Sequence, residues 1–339
     1  MINSNSSTQE NLFEAIRRKV GDEVNLAQEI MSLLMVSKDG AYRRLNGKIQ
    51  LSLDEASQIA AYFGIMLADL IATNREQVLF DFSYLSRPVN NLVEYLLPLD
   101  QDLSLLERLN NPYIFFATND IPMFHNFQFP RLALFKLFFW GYTVWRIPTI
   151  QSQKFSLRLA EGQALKLCQS IAGKYASIPS EEYWTPEMID NTMSRIKFGL
   201  SSGFFENPND ALVLIEDLIN LINHNEQMAE LGKKFIFGTE PNDKSASFKF
   251  HRNELFITSV TVLVKTDTQR VVYHVFDNPN YMRSTADSVC NHADAWFDKL
   301  RRYSTNMTVA NEQERKAYFN YLRDRIDVSK QFIKKNYLK

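Results

Sequence analysis

The chain has 339 residues, of which 45% are hydrophobic, 13% aromatic and 23% charged. That balance belongs to a folded protein with a large core, and the length predicts two or three domains. The formal net charge of −1 excludes a global field that gathers nucleic acid, so any such site must be a local patch. Cys168 and Cys290 are too few for a disulfide framework or a cysteine-spaced zinc site, and read as thiols in a reducing cytoplasm.

Residues 1–75 read as five short helices. The N-terminus, MINSNSSTQE, is polar and has no apolar signal core. Helix one runs from about Glu10 to Lys19. Asn25 caps helix two, with Gln28 completing a capping box, and Leu26, Ala27, Ile30 and Leu33 face inward at helical spacing. Ser37 caps helix three, which stops at Asn46-Gly47. Ser52 caps helix four, whose inner face is Leu53, Ala56, Ile59, Ala60 and Phe63. Helix five starts near Met66 and carries Leu67, Leu70 and Ile71. Thr73 to Val78 reads as a linker.

Residues 76–246 read as a mainly helical sensing or dimerisation region. A helical stretch reaches about Leu109, and a short strand is expected at Tyr113–Ala117. Pro130 opens an aromatic helix with Phe135, Phe138, Phe139, Trp140 and Trp145. Its apolar run, Leu132 to Ile147, carries Lys136 and is shorter than the roughly 20 residues needed to span a bilayer, so no membrane partner is expected. It serves either as core or dimer helix, or as the wall of an effector pocket. Three amphipathic helices follow. The first buries Leu157, Ala160, Ala164, Cys168 and Ile171. The second begins at Thr185-Pro186. The third follows Pro208 and buries Leu212, Ile215, Leu218, Ile219 and Ile222.

Residues 247–339 read as a small antiparallel β meander with closing helices. Phe248 to Arg252 alternates, Phe256 to Val264 is rich in β-branched residues, and Thr266–Gln269 turns the chain into a strand at Arg270–Phe276. Ser284, with Asp287, caps a helix whose stripe is Val289, Ala293, Trp296, Leu300 and Tyr303. A last helix from about Glu312 places Tyr318, Phe319, Leu322 and Ile326 inward. It ends in the basic residues Lys330, Lys334, Lys335 and Lys339. The fold class expected is mainly α, with an α+β body.

The stretch Leu26 to Ile71 carries the functional signal. Leu26-Ala27, Val36-Ser37, Asn46-Gly47-Lys48, Leu53 with Ile59-Ala60, and Gly64-Ile65-Met66-Leu67 with Leu70 stand in an order and spacing that resembles the lambda-repressor-like (Cro/XRE) helix-turn-helix regulators, and the BetR-type regulators among them. The resemblance covers under a quarter of the chain. It implies that helix three enters the major groove of double-stranded DNA. Ser37, Lys38, Asp39, Tyr42 and Arg43 would then lie toward base edges, where Lys and Arg donate to guanine and Asp accepts from cytosine. Arg44, Asn46 and Lys48 would lie toward phosphates, as would the free amides opening helix two. Gly40 departs from a good recognition helix, costing about 1 kcal/mol of propensity against Ala; it either admits the DNA backbone closely or leaves the helix to order on DNA. The resemblance implies a cytoplasmic transcriptional regulator, pairing as a homodimer, with no cofactor and with a small-molecule effector left open. A protein-interaction adaptor that keeps the scaffold without binding DNA is the alternative.

Enzyme signals are sparse. Gly199-Leu-Ser201-Ser-Gly203 matches a nucleophile-elbow pattern, but the elbow needs a strand before the serine and a helix after it. A helical pattern precedes it here, so the cluster reads as a helix stop and no enzyme is expected. Cys290 and His292 are too closely set to define a metal site: the first leans toward a buried stripe and the second away from it.

Overall fold

The computed structural model describes residues 7–21, 25–65, 67–70, 78–82, 88–159, 162–254, 257 and 259–338. The chain divides into two compact units, Met1–Leu79 and Phe80–Lys339. Most of the expected linker, and Met66 and Ile71 of the expected fifth helix, lie outside the described residues.

In the first unit four helices pack around one small core: α1 (Thr8–Val20), α2 (Leu26–Leu34), α3 (Lys38–Leu45) and α4 (Leu53–Phe63), with a 3-10 turn at Leu67–Leu70. Local chemistry sets their ends. Ser7 and Ser52 form complete capping boxes with Glu10 and Glu55. Asn25 caps α2 through the Gln28 amide, but the Gln28 side chain does not reach back, so the expected box is only half made. Leu12, Phe13, Ile16, Ile30, Ala41, Ile59 and Phe63 meet in the core. Leu53 was expected inside and is 78% exposed. It is the first residue of α4, where the chain has only just turned toward the core.

The second unit is an α+β fold built on one mixed seven-stranded sheet, in the order β6-β5-β4-β1-β2-β3-β7. The strands are β1 (Tyr113–Thr118), β2 (Ser180–Trp184), β3 (Phe248–Arg252), β4 (Thr261–Lys265), β5 (Arg270–Asp277), β6 (Asn280–Ser284) and β7 (Thr305–Asn306). The helices are α5 (Leu92–Leu106), α6 (Met123–Asn126), α7 (Pro130–Thr143), α8 (Pro148–Gln151), α9 (Gln163–Ser177), α10 (Asp190–Ser201), α11 (Asp210–Leu231), α12 (Asp287–Arg302) and α13 (Glu312–Tyr337). β1, β2 and β3 are parallel, as the long helical connections between them require. β4 runs antiparallel to β1 and leads into the β4-β5-β6 hairpins.

This corrects the expected small meander. The antiparallel strands are there, but they extend a sheet whose centre comes from the supposedly helical region, so a boundary at residues 246/247 would cut through paired strands. β2 was not expected at all: Ser180-Glu-Glu-Tyr-Trp looks like exposed loop, yet every residue in it is buried. Consequently the helix predicted from Thr185-Pro186 starts only at Asp190. The helix predicted from Leu157 is interrupted, with a 3-10 turn at Leu157–Leu159 and α9 starting after Gly162. Ser284 ends β6 and accepts from the Ala286 amide, while α12 begins after Ala286 with no side-chain cap.

Alternation along the strands gives the sheet two covered faces. Ile114, Phe116, Trp184, Phe248 and Phe250 face the large core formed with α5, α7, α9, α11 and α13. Phe115, Ala117, Tyr183, Leu263 and Val272 face a smaller core closed by Cys290, Ala293, Phe297 and Leu300 of α12. The aromatic helix α7 lies almost wholly inside the large core: Phe135, Phe138 and Trp140 are buried, and Phe135 stacks on Phe205. Among the described residues no helix is long and apolar enough to cross a membrane.

Candidate nucleic-acid interface

α2 and α3 are joined by a three-residue turn. Met35 takes the left-handed conformation, φ +53°, which lets the chain leave α2 sharply. Ser37 then caps α3, its Oγ accepting from the Gly40 amide at 3.1 Å. Ala41 is the buried anchor of α3. The opposite face presents Lys38, Asp39, Tyr42 and Arg43 to solvent, followed by exposed Asn46 and Lys48. Tyr42 is 44% exposed. Lys38 and Tyr42, and Asp39 and Arg43, are spaced four apart and share neighbouring surface. Among the described residues no ion pair occupies Lys38, Asp39, Arg43 or Lys48.

Arg44 stands apart from the set. Its guanidinium donates to Glu55 Oε1 from Nε at 3.2 Å and Nη2 at 2.7 Å, and to the Gly40 carbonyl from Nη1 at 3.2 Å. Glu55 uses its other oxygen to accept from the Ser52 amide at 3.0 Å. Arg44 is therefore a strut from α3 to the start of α4, and its charge is already matched rather than offered to a phosphate. The Arg44 hydrogen bonds, with that of the Ser52 amide, hold the Glu55 carboxyl below its ordinary range. Gly40 belongs to the same arrangement. A Cβ there would lie 3.2 Å from Ser37 Oγ and 3.6 Å from Arg44 Nη1, so this glycine gives room to the cap and the strut.

Gln9 is a positioning residue that sequence reading missed. From α1 it donates to the carbonyls of Arg44 at 2.7 Å and Ile49 at 2.9 Å, and accepts from the Leu51 amide at 2.9 Å. Three bonds from one side chain fix the loop that carries Asn46 and Lys48. A lone glutamine at a helix start gives no sequence signal for this, because its partners lie 35 to 42 positions away. The first unit also exposes apolar side chains: Met35 is 93% and Leu53 78% exposed.

The remaining sequence signals fall elsewhere. Ser201 is the last residue of α10 and donates back to the Phe198 carbonyl at 3.0 Å; no strand leads into it. Gly199 is needed for packing, since a Cβ there would lie 2.7 Å from Phe205 Cε2. Cys290 is buried under the sheet and His292 is exposed. Among the described residues no group of three or more His, Cys, Asp or Glu side chains could hold a metal.

The adjacent glutamates of β2 point to opposite faces of the sheet. Glu182 accepts from His125 at 3.0 Å, Tyr175 at 2.6 Å and Trp184 at 2.9 Å. Burial raises its pKa, but His125, Lys234 and Tyr175 outweigh burial and hold it to about 2. Lys234 donates to the Ile178 carbonyl at 2.9 Å; burial lowers it to about 7 against the pull of Glu182. On the other face Glu181 pairs with Arg301 at 2.8 Å and with His251 at 3.1 Å, and accepts from the Tyr183 hydroxyl. No family model matches the chain, and neither a curated protein nor a solved structure matches it.

Proposed function

We propose that the chain is a sequence-specific DNA-binding transcriptional regulator that inserts α3 into the major groove. One observation carries this reading: Lys38, Arg43 and Lys48 are exposed basic groups without an ion partner among the described residues, on a short helix and loop braced from behind by Ser37, Arg44–Glu55 and Gln9. Solvated charges held on a rigid support suit phosphate and base contacts, because the ordering cost is met before binding. Lys38, Asp39, Tyr42 and Arg43 would read bases, with Ser37 orienting the helix start. Asn46 and Lys48 would meet phosphates. The regulator would act in the cytoplasm, where the two buried free cysteines stay reduced, and as a homodimer on paired half-sites.

The deciding experiment is binding of the full chain to random and selected duplexes across a salt series. Three basic contacts per copy give a slope of about −2.7 in log affinity against log salt, a loss of roughly fortyfold between 50 and 200 mM. A selected sequence should bind at least about a thousandfold tighter than random duplex. Absence of binding at 50 mM salt would overturn the reading. The exposed Met35 and Leu53 favour a second reading, an adaptor that docks a protein on this surface. It predicts weak DNA binding without sequence preference.

A further inference from the structure

The carboxyl end of β1 opens into a small, largely apolar cleft with a few polar groups in its wall. β1 is where the sheet changes from parallel to antiparallel pairing, and open α/β sheets characteristically place ligands at the carboxyl ends of their strands. The turn after β1 is held by Thr118, whose Oγ1 accepts from the Asp120 amide at 3.0 Å. The walls include Phe116, Thr118, Asp120, Met123, Lys136 and Trp140, around a cavity of about 30 Å³ that is partly open to solvent.

Two wall residues carry buried polar atoms with no partner. Asp120 is 4% exposed and Trp140 1%. Among the described residues, Asp120 Oδ1 has no donor and Trp140 Nε1 no acceptor. An unpaired buried polar atom destabilises the fold, so two among the wall residues of one cleft ask what meets them. The other carboxylate oxygen, Oδ2, is occupied by Arg195 Nη1 at 3.2 Å and faces Lys136 Nζ at 3.7 Å. Lys136 Nζ also donates to the Ile121 carbonyl at 3.1 Å. The cluster thus sets two basic side chains against one carboxylate. Its unmet needs are a hydrogen-bond donor for Asp120, an acceptor for Trp140, and a negative charge.

We propose that this cleft binds a small carboxylic acid carrying a hydrogen-bond donor on the adjacent carbon, an α-hydroxy or α-amino acid. The donor meets Asp120 Oδ1. The carboxylate accepts from Trp140 Nε1 and balances Lys136 and Arg195. Asp120 is fixed by its two cations, and Trp140 packs against both Tyr95 and Trp145, so both groups are placed before the ligand arrives. The site belongs to the second unit alone, and its occupancy does not depend on whether the first unit binds DNA.

The test is titration calorimetry on the full chain with glycolate, lactate, glycine and alanine, against acetate, which lacks the donor, and ethanol, which lacks the carboxylate. At least one of the four acids should bind saturably and at least tenfold tighter than either control. Trp140→Phe removes buried ring volume along with the indole N–H, so it should lower the unliganded thermal midpoint, and the protein that still folds should bind about tenfold more weakly. Asp120→Asn should weaken it as well. Binding confined to the hydroxy acids or to the amino acids assigns the ligand to that source. Four acids indistinguishable from acetate would overturn the proposal, since ordered water alone would then fill the cleft. So would affinity unchanged in a folded Trp140→Phe protein.

Discussion

Arg43 and Arg44 are neighbours in sequence and differ in everything that matters. Arg43 is exposed on α3, while Arg44 is pinned to Glu55 across to α4. Arg43→Ala should weaken binding to the selected duplex by about 1–3 kcal/mol and leave the thermal midpoint of the first unit unchanged. Arg44→Ala should lower the midpoint through a loss of about 1–2 kcal/mol, because it strips a partly buried carboxylate of its partner, and should weaken binding less than Arg43→Ala does, through the lost brace alone. Equal effects of the two variants on both readouts would sink the division of roles. The buried lysines give pH dependence an uncommon sign. Burial lowers Lys234 to about 7 and Lys136 to about 8, against the opposing charges of Glu182 and Asp120. An unfolded lysine keeps its proton to about 10.4. Between these values the unfolded chain holds more protons than the folded one, so stability rises with pH. Glu182, held to about 2, works at the acid end, where its contribution is present above about pH 4 and lost as pH falls through that window. The midpoint of the second unit should climb from pH 7 to pH 9 and fall below pH 4, and Lys234→Met should flatten the climb. Calorimetric scans across that range check it.

At the scale of elements, packing decides where a sequence motif only suggests. Gly199→Ala improves helix propensity by about 1 kcal/mol, yet its Cβ would press on Phe205, which is buried and stacked on Phe135. The variant should therefore lose about 1–3 kcal/mol of stability, whereas Ser201→Ala should change little. A stabilised Gly199→Ala protein would contradict the packing role. The same contrast explains what could be read in advance. α3 and α4 were legible because their signals are local: Ser37 and Ser52 cap within three residues, and Ala41 and Ile59 fall on helical faces. α7 was legible as a helix because Pro130 opens it and its apolar run is continuous, though the sequence left core, dimer face and pocket wall open. β2 was illegible because the burial of Glu181 and Glu182 is stabilised by His125, Lys234, His251 and Arg301, residues between 52 and 120 positions away. Within the candidate site Lys38, Asp39, Tyr42 and Arg43 were named in advance through the family resemblance. The roles of Arg44 and Gln9 were not, since both are set by partners on other elements.

On the scale of the whole molecule, the proposed DNA-binding role asks for a second copy: a single recognition helix spans only a few base pairs, and helix-turn-helix regulators gain affinity by pairing half-sites about one helical turn apart. Most apolar surface of the second unit is spent internally. The inward face of α7 is core, β4 lies between β1 and β5, and Leu300 is buried. The apolar surface left over lies on α13, where Tyr321, Val328 and Phe332 are spaced seven and four apart on one helix side and are 42%, 71% and 49% exposed. Phe198 of α10, 50% exposed, lies near this stripe through Lys197, whose ammonium sits over the Phe332 ring. The charges around the stripe suit a second copy of the same helix. Asp324 and Asp327 are exposed toward one end and Lys334 and Lys335 toward the other, with no ion partner among the described residues. An antiparallel pair centred near Val328 would bring the acidic end of each copy against the basic end of its mate, as a two-fold interface requires. The full chain should therefore sediment as a dimer at micromolar concentration. Val328→Arg should yield a monomer with an unchanged thermal midpoint on dilution, since the side chain it replaces is exposed. It should also weaken binding to a two-half-site duplex far more than to a single half-site. A full chain that sediments as a monomer and binds one copy per operator would defeat the pairing, and a Val328→Arg protein that stays dimeric would move the interface away from α13.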